Sequence, residues 1–424
     1  MKLKSIELIK TSLDSEKTQV ALAFSIVVCL FLRAGFISTS VIVFFVYSLY
    51  CFYQQPGNLS QQLKEKRLLL FPIALFLLYV IWIAFTDYPK EGVTELLKKS
   101  PLLLIPVSFI LIDRRFSERN FQFILNAFLG VCLIYSLICF GNAAINIYQN
   151  KTVVYGYYDH TYYFFMYYPL TEITGILPIY LGMYCNLAFI IVLNSSWIKS
   201  DVVRTLLAIY VAVFIILIGS KIGVIILAAS TCVWIMIKAN KRIRVFLILG
   251  SILLLVSVFN MPYFKDRFSI STKFDWAELD SGLWSSAAFR VAIWTCSLET
   301  IKNEPWLGYG TSGGQHALQN MYVEKNFARG VIDGYNSHNE FFTATLDLGI
   351  TGFSCLLAMF AFATTSSLRS KDVLTLTFLL IIVATCLIES ILLRQKGIVF
   401  CTFFYCLLLN QTAPRKLSRE HLGN

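Results

Sequence analysis

The sequence predicts an all-α membrane protein of about 12 transmembrane helices, with a large extracytoplasmic loop subdomain between helices 9 and 10. Three observations predict it. Of the 424 residues, 57% are hydrophobic and 14% charged, where a soluble domain carries about 25% charged residues. Apolar runs long enough to cross a bilayer, roughly 17–25 residues, recur along the chain. Lys and Arg gather in short clusters between those runs, as they do in loops facing anionic cytoplasmic lipid.

The candidate cores lie near 18–33, 36–54, 68–86, 99–113, 120–147, 173–194, 203–219, 220–237, 242–260, 341–366, 372–389 and 395–411. The fourth, "PLLLIPVSFILI", is short and carries two prolines, and "GSKIG" joins the seventh to the eighth in a very tight turn. With an even number of spans both termini share a side. The segments on that side hold 21 Lys and Arg and those on the other hold 15, seven of them in one long loop. Long loops translocate largely regardless of charge, so the short loops decide, at 21 against 8. Both termini are therefore expected in the cytoplasm. The expected division is 1–260 for helices 1–9, 261–340 for the loop subdomain, and 341–424 for helices 10–12 and a cytoplasmic tail.

Lys2, Lys4, Lys10 and Lys17 precede the first apolar stretch. That stretch runs on into a second one without the small-residue cleavage site of a signal peptide, so a retained helix is expected. The net charge of +11 reads as loop lysines and arginines at a membrane surface, with no nucleic-acid partner expected. Ten of the eleven cysteines sit in apolar runs, and only Cys296 lies in a long polar segment. This gives neither a disulfide framework nor a metal spacing.

The long loop holds most of the groups able to do chemistry. "SSAAFRVAIWTCSLETIKNEP" reads as a helix capped by Ser285 or Ser286 and stopped by Pro305. Arg290 and Trp294 stand four apart on one face of it. "WLGYGTSGG" follows, a turn whose Gly308 and Gly310 would let backbone approach a ligand closely. It lacks the lysine-serine ending of a nucleotide P-loop. Then "GYNSHNEFF" places His338, Asn339 and Glu340 at the entry to an apolar run. A histidine there serves either as a cap and packing group or as an acid-base group, and Arg290 either lies on a solvated helix face or meets a ligand. Lys221, in "LIGSKIGVIIL", is a cation between two apolar helices. Such a residue is either functional or a side chain snorkelling to the surface. Glu389 and Arg394, near the end of the eleventh span, are expected to pair with each other. Asp275, Glu278 and Asp280 form a loose acidic group better read as solvated loop than as a cation site. The aromatic stretch at 148–171, which includes His160, reads as an interfacial belt or a sugar-stacking surface.

The ordered set "FRVAIW…NEPWLGYGTSGG…NSHNEFFTATLDLGITG" resembles the O-antigen ligase and O-antigen polymerase superfamily of lipid-linked glycan transferases, and most closely O-antigen ligase. The matching positions are Arg290, Trp294, Pro305, Gly308, Gly310, His338, Asn339, Glu340, Gly349 and Gly352. The diagnostic motifs cover about 65 residues, and the twelve-span layout covers most of the chain. The resemblance implies a metal-independent glycosyltransferase with no cofactor, in the bacterial inner membrane with its active site facing the periplasm. Its donor is a glycan on undecaprenyl diphosphate and its acceptor a sugar hydroxyl of lipid A–core. Polymerases and protein O-oligosaccharyltransferases of the same kind use the same donor, and a lipid-linked glycan flippase is the non-enzymatic alternative. Two positions depart from the family pattern. Lys221 stands where ligases carry Arg, keeping the charge without the phosphate-matching fork. Leu177 stands before Pro178, where relatives often have His.

The implied chemistry needs cations for a diphosphate leaving group and a base for an acceptor hydroxyl. Arg290 and Lys221 would supply the first. His338 would supply the second, since imidazole titrates near neutral pH.

Overall fold

A computed structural model describes residues 16–112, 115–149, 154–155, 158–159, 164–238 and 286–412. Among these residues the chain is mostly helical, and its only strands form a short antiparallel bridge pairing Val154–Tyr155 with Tyr158–Asp159. Among the described residues six helices are long and apolar enough to cross a membrane: Ala34–Gln54, Arg67–Phe85, Glu118–Tyr148, Asp201–Ile218, Lys221–Lys238 and Glu340–Ser370. Tyr167–Thr174 and Pro178–Asn194 meet at an 83° bend and together make a seventh if counted as one span. Val373–Cys386 is apolar but shorter. The protein is a multi-pass membrane protein. The ninth expected span, 242–260, and the first part of the long loop, 261–285, lie outside the described residues, as do His160, Asp275, Glu278 and Asp280.

The fourth expected span, 99–113, is the short helix Pro101–Leu111, and it is preceded, across Ser100, by a separate amphipathic helix, Pro89–Lys99, opened by its own proline. Pro101–Leu111 is 11 residues long, about 16 Å at 1.5 Å per residue and too short to cross a bilayer alone. Its far end is capped by the buried Lys66, whose Nζ donates to the carbonyls of Phe109 and Ile112 at 2.6 and 2.8 Å. These are carbonyls that a helix end leaves without intrahelical partners.

At the other end of the bundle several elements converge. Thr311 donates through its hydroxyl to the Tyr79 carbonyl at 2.6 Å and through its N–H to that of Trp82 at 3.2 Å. Trp82 Nε1 donates to the Leu307 carbonyl at 2.6 Å. The loop after Pro305 is thereby fixed to the end of the Leu70–Trp82 helix. Beyond it, Ser286–Asn303, Gly313–Glu324 and Ala328–Ile332 enclose a small core of their own, built on Ala292, Ile293, Cys296, Leu318, Tyr322 and Phe327. Burial pushes the Cys296 thiol up to about 12. It behaves as a packed apolar group rather than a nucleophile.

The long helix Glu340–Ser370 is broken at Gly349 (φ 61°, ψ −154°). The break separates the Leu346 carbonyl from the Ile350 N–H, which a continuous helix would pair. Both find partners in the glycine-rich turn: Tyr309 N–H donates to the Leu346 carbonyl at 2.8 Å, and Ile350 N–H donates to the Pro305 carbonyl at 3.0 Å. Buried backbone groups must be satisfied somewhere, and "PWLGY" is the segment that satisfies these two.

Candidate functional site

The site is assembled at the start of the broken helix. Asn339 is its N-cap, accepting from the N–H groups of Phe341 and Phe342 at 2.9 and 3.2 Å. Immediately before it, His338 adopts a left-handed backbone conformation (φ 44°), uncommon for a non-glycine residue. The Asn336 side chain supports it, accepting the His338 N–H at 2.8 Å. This turn aims the imidazole away from the helix axis and toward the segment that follows Val373–Cys386.

There His338 Nδ1 meets Glu389 Oε2 at 3.0 Å, the carboxylate side chain 8% exposed and the imidazole 25%. Glu389 therefore pairs with His338, and among the described residues no ion pair joins it to Arg394, which is exposed. The expected Glu389–Arg394 pair is corrected on that point. The physical reason is that Glu389 closes the end of the helix preceding it, packed against the start of the broken helix, while Arg394 lies beyond the 3-10 turn Ile391–Leu393. A carboxylate at Nδ1 holds the tautomer with its proton on that nitrogen and leaves Nε2 as the acceptor.

Arg290 reaches the same neighbourhood through its helical neighbours. Phe289 lies 6.5 Å from the Tyr335 ring, which is 6.1 Å from the His338 ring. One turn after Arg290, Trp294 packs edge-on against Phe342, 6.3 Å between centroids. Arg290 thus sits between two aromatic contacts that both lead to the His338 turn. Its Nε and the Trp294 Nε1 are shielded from solvent and make no hydrogen bond among the described residues. Buried donors left unpaired cost free energy unless a ligand satisfies them. Tyr335 is held above the imidazole by its hydroxyl, which donates to Asp333 at 2.6 Å, and by Gln315 and Gln319, which donate to its carbonyl at 3.0 and 3.1 Å. Burial, then the bond to Asp333, pushes the Tyr335 hydroxyl up from its ordinary value.

Lys221 opens the helix Lys221–Lys238, one residue beyond the left-handed Gly219 (φ 64°) that ends the preceding helix, with Ser220 between them. The start of Pro178–Asn194 connects it to the rest of the site. A Cβ on Gly182 would stand 3.6 Å from the Ser220 Cβ, and Asn186 Nδ2 donates to the Gly223 carbonyl at 3.0 Å. In the same turns Tyr184 donates to the Lys396 carbonyl at 2.8 Å, and Tyr180 lies against Gly397. Lys221, Arg290 and His338 therefore all lie at one end of the bundle. Leu177, N-cap of that same helix, is exposed.

The glycines have a different use from the one expected. A Cβ on Gly308 would stand 2.6 Å from the Gly349 nitrogen, and one on Gly310 would meet the backbone of Phe85 and Thr86. Both have positive φ. Their close approach is to the chain itself, so they hold the loop to two helices rather than leaving room for a ligand. Asp347 adds a further tie, its carboxylate accepting from the Gly314 N–H at 3.2 Å. Sequence reasoning missed the contact of Glu389 with His338. The one available signal, a carboxylate at the end of an apolar run, was assigned to the wrong partner.

A comparison with curated proteins gave no match. A family model described as O-Antigen ligase matches residues 206–357. That stretch contains Lys221, Arg290, the glycine turn and the His338 cap, and the match over it supports the resemblance of this part of the chain to the O-antigen ligase and O-antigen polymerase superfamily.

Proposed function

We propose that the protein is an O-antigen ligase of the bacterial inner membrane. It would move a glycan from undecaprenyl diphosphate to a sugar hydroxyl of lipid A–core at the periplasmic face. The observation that carries the mechanism is the His338–Glu389 pair, with Arg290 on the neighbouring helix carrying a buried donor that makes no hydrogen bond among the described residues. In this reading His338 Nε2 takes the proton of the acceptor hydroxyl as its oxygen bonds to the anomeric carbon of the donor. The bond from that carbon to the diphosphate breaks, and undecaprenyl diphosphate departs with the electron pair. Glu389 steadies the imidazolium that forms, following the logic of base and orienter. Arg290 and Lys221 neutralise charge gathering on the diphosphate. Trp294, Asn339, Glu340, Gly308 and Gly310 support this arrangement without touching the reacting atoms. The mechanism requires neither a metal nor a cofactor.

His338→Ala in purified protein tests the reading. Transfer should fall on the order of 10²–10⁴-fold, the usual contribution of a positioned base. Transfer close to the parental rate in folded protein would remove His338 as the base. The acceptor is tested by gene deletion. Uncapped core together with long carrier-linked chains supports the ligase, and core capped with a single repeat unit supports a polymerase instead.

A further inference from the structure

Lys99 takes no part in the mechanism above, yet its side chain is fully buried at the end of the amphipathic helix Pro89–Lys99. A buried ammonium is costly unless it is paired and hydrogen-bonded, and this one has three partners. Glu95 Oε1 lies 3.2 Å away, the Tyr79 ring centroid 4.5 Å away, and the Leu392 carbonyl accepts from Nζ at 3.1 Å. The first two are neighbours in the fold. The third is 293 residues away in sequence and belongs to the segment that carries Glu389.

That same Leu392 is held from its other side. Its N–H donates at 2.8 Å to Glu340 Oε2, a carboxylate with no solvent exposure. Both main-chain polar groups of one residue are thus held by buried side chains, the N–H by a carboxyl oxygen and the carbonyl by an ammonium. The segment is pinned at two more points. Asn339 Nδ2 donates to the Leu387 carbonyl at 3.1 Å, and the hydroxyls of Ser390 and Thr343 meet at 2.8 Å. Glu389 lies between these fixed points and faces His338.

We propose that Lys99 and Glu340 are positioning residues for the His338–Glu389 pair, acting as a clamp on the main chain of Leu392. The proposal rests on the reading of His338 as the base. The clamp fixes the register of the 387–392 segment against the start of the broken helix, and so holds the Glu389 carboxylate within hydrogen-bonding distance of Nδ1. An ion pair present only for stability would have no need to end on this backbone. Lys99 also brings the Pro89–Lys99 helix, far away in sequence, into the alignment of the base.

The test uses full-length protein with an undecaprenyl diphosphate-linked glycan as donor and lipid A–core as acceptor. Two variants loosen the clamp from opposite sides. Glu95→Gln with Lys99→Met removes both charges of the ion pair together, which avoids leaving Glu95 buried without its partner. Glu340→Ala removes the acceptor for the Leu392 N–H. Each is made in the parental chain and in a Glu389→Gln background, with His338→Ala alongside. The expected result for each is a fall in kcat of tenfold or more with donor KM unchanged in the parental background, and no further fall in the Glu389→Gln background. A folded clamp variant whose kcat stays within twofold of the parental chain, in the parental background, overturns the proposal. So does an equal fall in both backgrounds, which is what general loosening gives. If His338→Ala itself keeps near-parental transfer, the base reading fails first and for a separate reason. If it is strongly impaired while the clamp variants are not, only the clamp is lost. Either variant suffices, so a failure of one to fold leaves the other decisive.

Discussion

Glu389→Gln isolates the contact on which the site turns. The substitution keeps the shape of the side chain and removes its charge. Before reaction the loss is small. A hydrogen bond to a charged group contributes about 1.5–3 kcal/mol and a neutral one about 0.5–1.5, so an amide oxygen still accepting from Nδ1 forfeits about 1 kcal/mol. Once His338 has taken the acceptor proton, the 3.0 Å contact becomes an ion pair. At an effective dielectric constant of about 20, Coulomb's law sets a ceiling of about 5.5 kcal/mol on that attraction. Water at the imidazole, 25% exposed, lowers it further. The effect on kcat should lie between these bounds, at roughly 10- to 10³-fold. The assay is steady-state transfer by purified protein, with donor KM measured separately and expected to change little. The decisive comparison is the double variant with His338→Ala, which should be no slower than His338→Ala alone, because groups acting as one unit are strongly non-additive. A single variant within twofold of the parent, or a double variant falling by the product of the two, would refute the pairing as a catalytic device.

Three further outcomes follow from the geometry. Arg290→Ala should lower transfer on the order of 10²–10³-fold, as the loss of a preorganised charge-stabilising donor does, whereas Lys221→Arg should stay within roughly threefold because the charge is kept and the fork suits phosphate; kcat and donor KM for both variants check this. Gly349→Ala should destabilise the protein by more than the ~1–3 kcal/mol of a glycine-only conformation, since its Cβ would also collide with the Trp306 carbonyl, and thermal melting in detergent measures the loss. Burial alone would raise the Glu95 carboxyl, but Lys99 and then Lys98 hold it below its ordinary value; the stability this provides is present above the unfolded-state value of about 4.3 and lost as pH falls through the lower folded-state value, so Glu95→Gln should flatten the acid limb of a melting-temperature profile.

Much of the site was legible because helix signals are local. The helix Ser286–Asn303 ends just before Pro305, and the cap at Asn339 stands directly before the apolar run it opens. Among the described residues hydropathy likewise located the six helices long and apolar enough to cross a membrane, of the twelve spans expected, since a bilayer demands length and apolarity of each one separately. The twin prolines at 101 and 106 warned that the run at 99–113 was unusual, but not that Pro89–Lys99 would be a separate amphipathic piece. Proline restricts its own backbone without indicating where its neighbours pack.

By itself, the sequence determined that this chain is a helical membrane protein, and it singled out one polar segment, one cation and one imidazole as candidates for its chemistry. Those properties reside in single residues and short periods. Only the tertiary structure decided that Glu389 faces His338 rather than Arg394, that Gly308 and Gly310 approach backbone rather than a ligand, and that Lys99 reaches Leu392 across 293 positions. Pairings of that range depend on which helix ends share a face of the bundle. That arrangement is set by the packing of the whole chain, and no local pattern of residues encodes it.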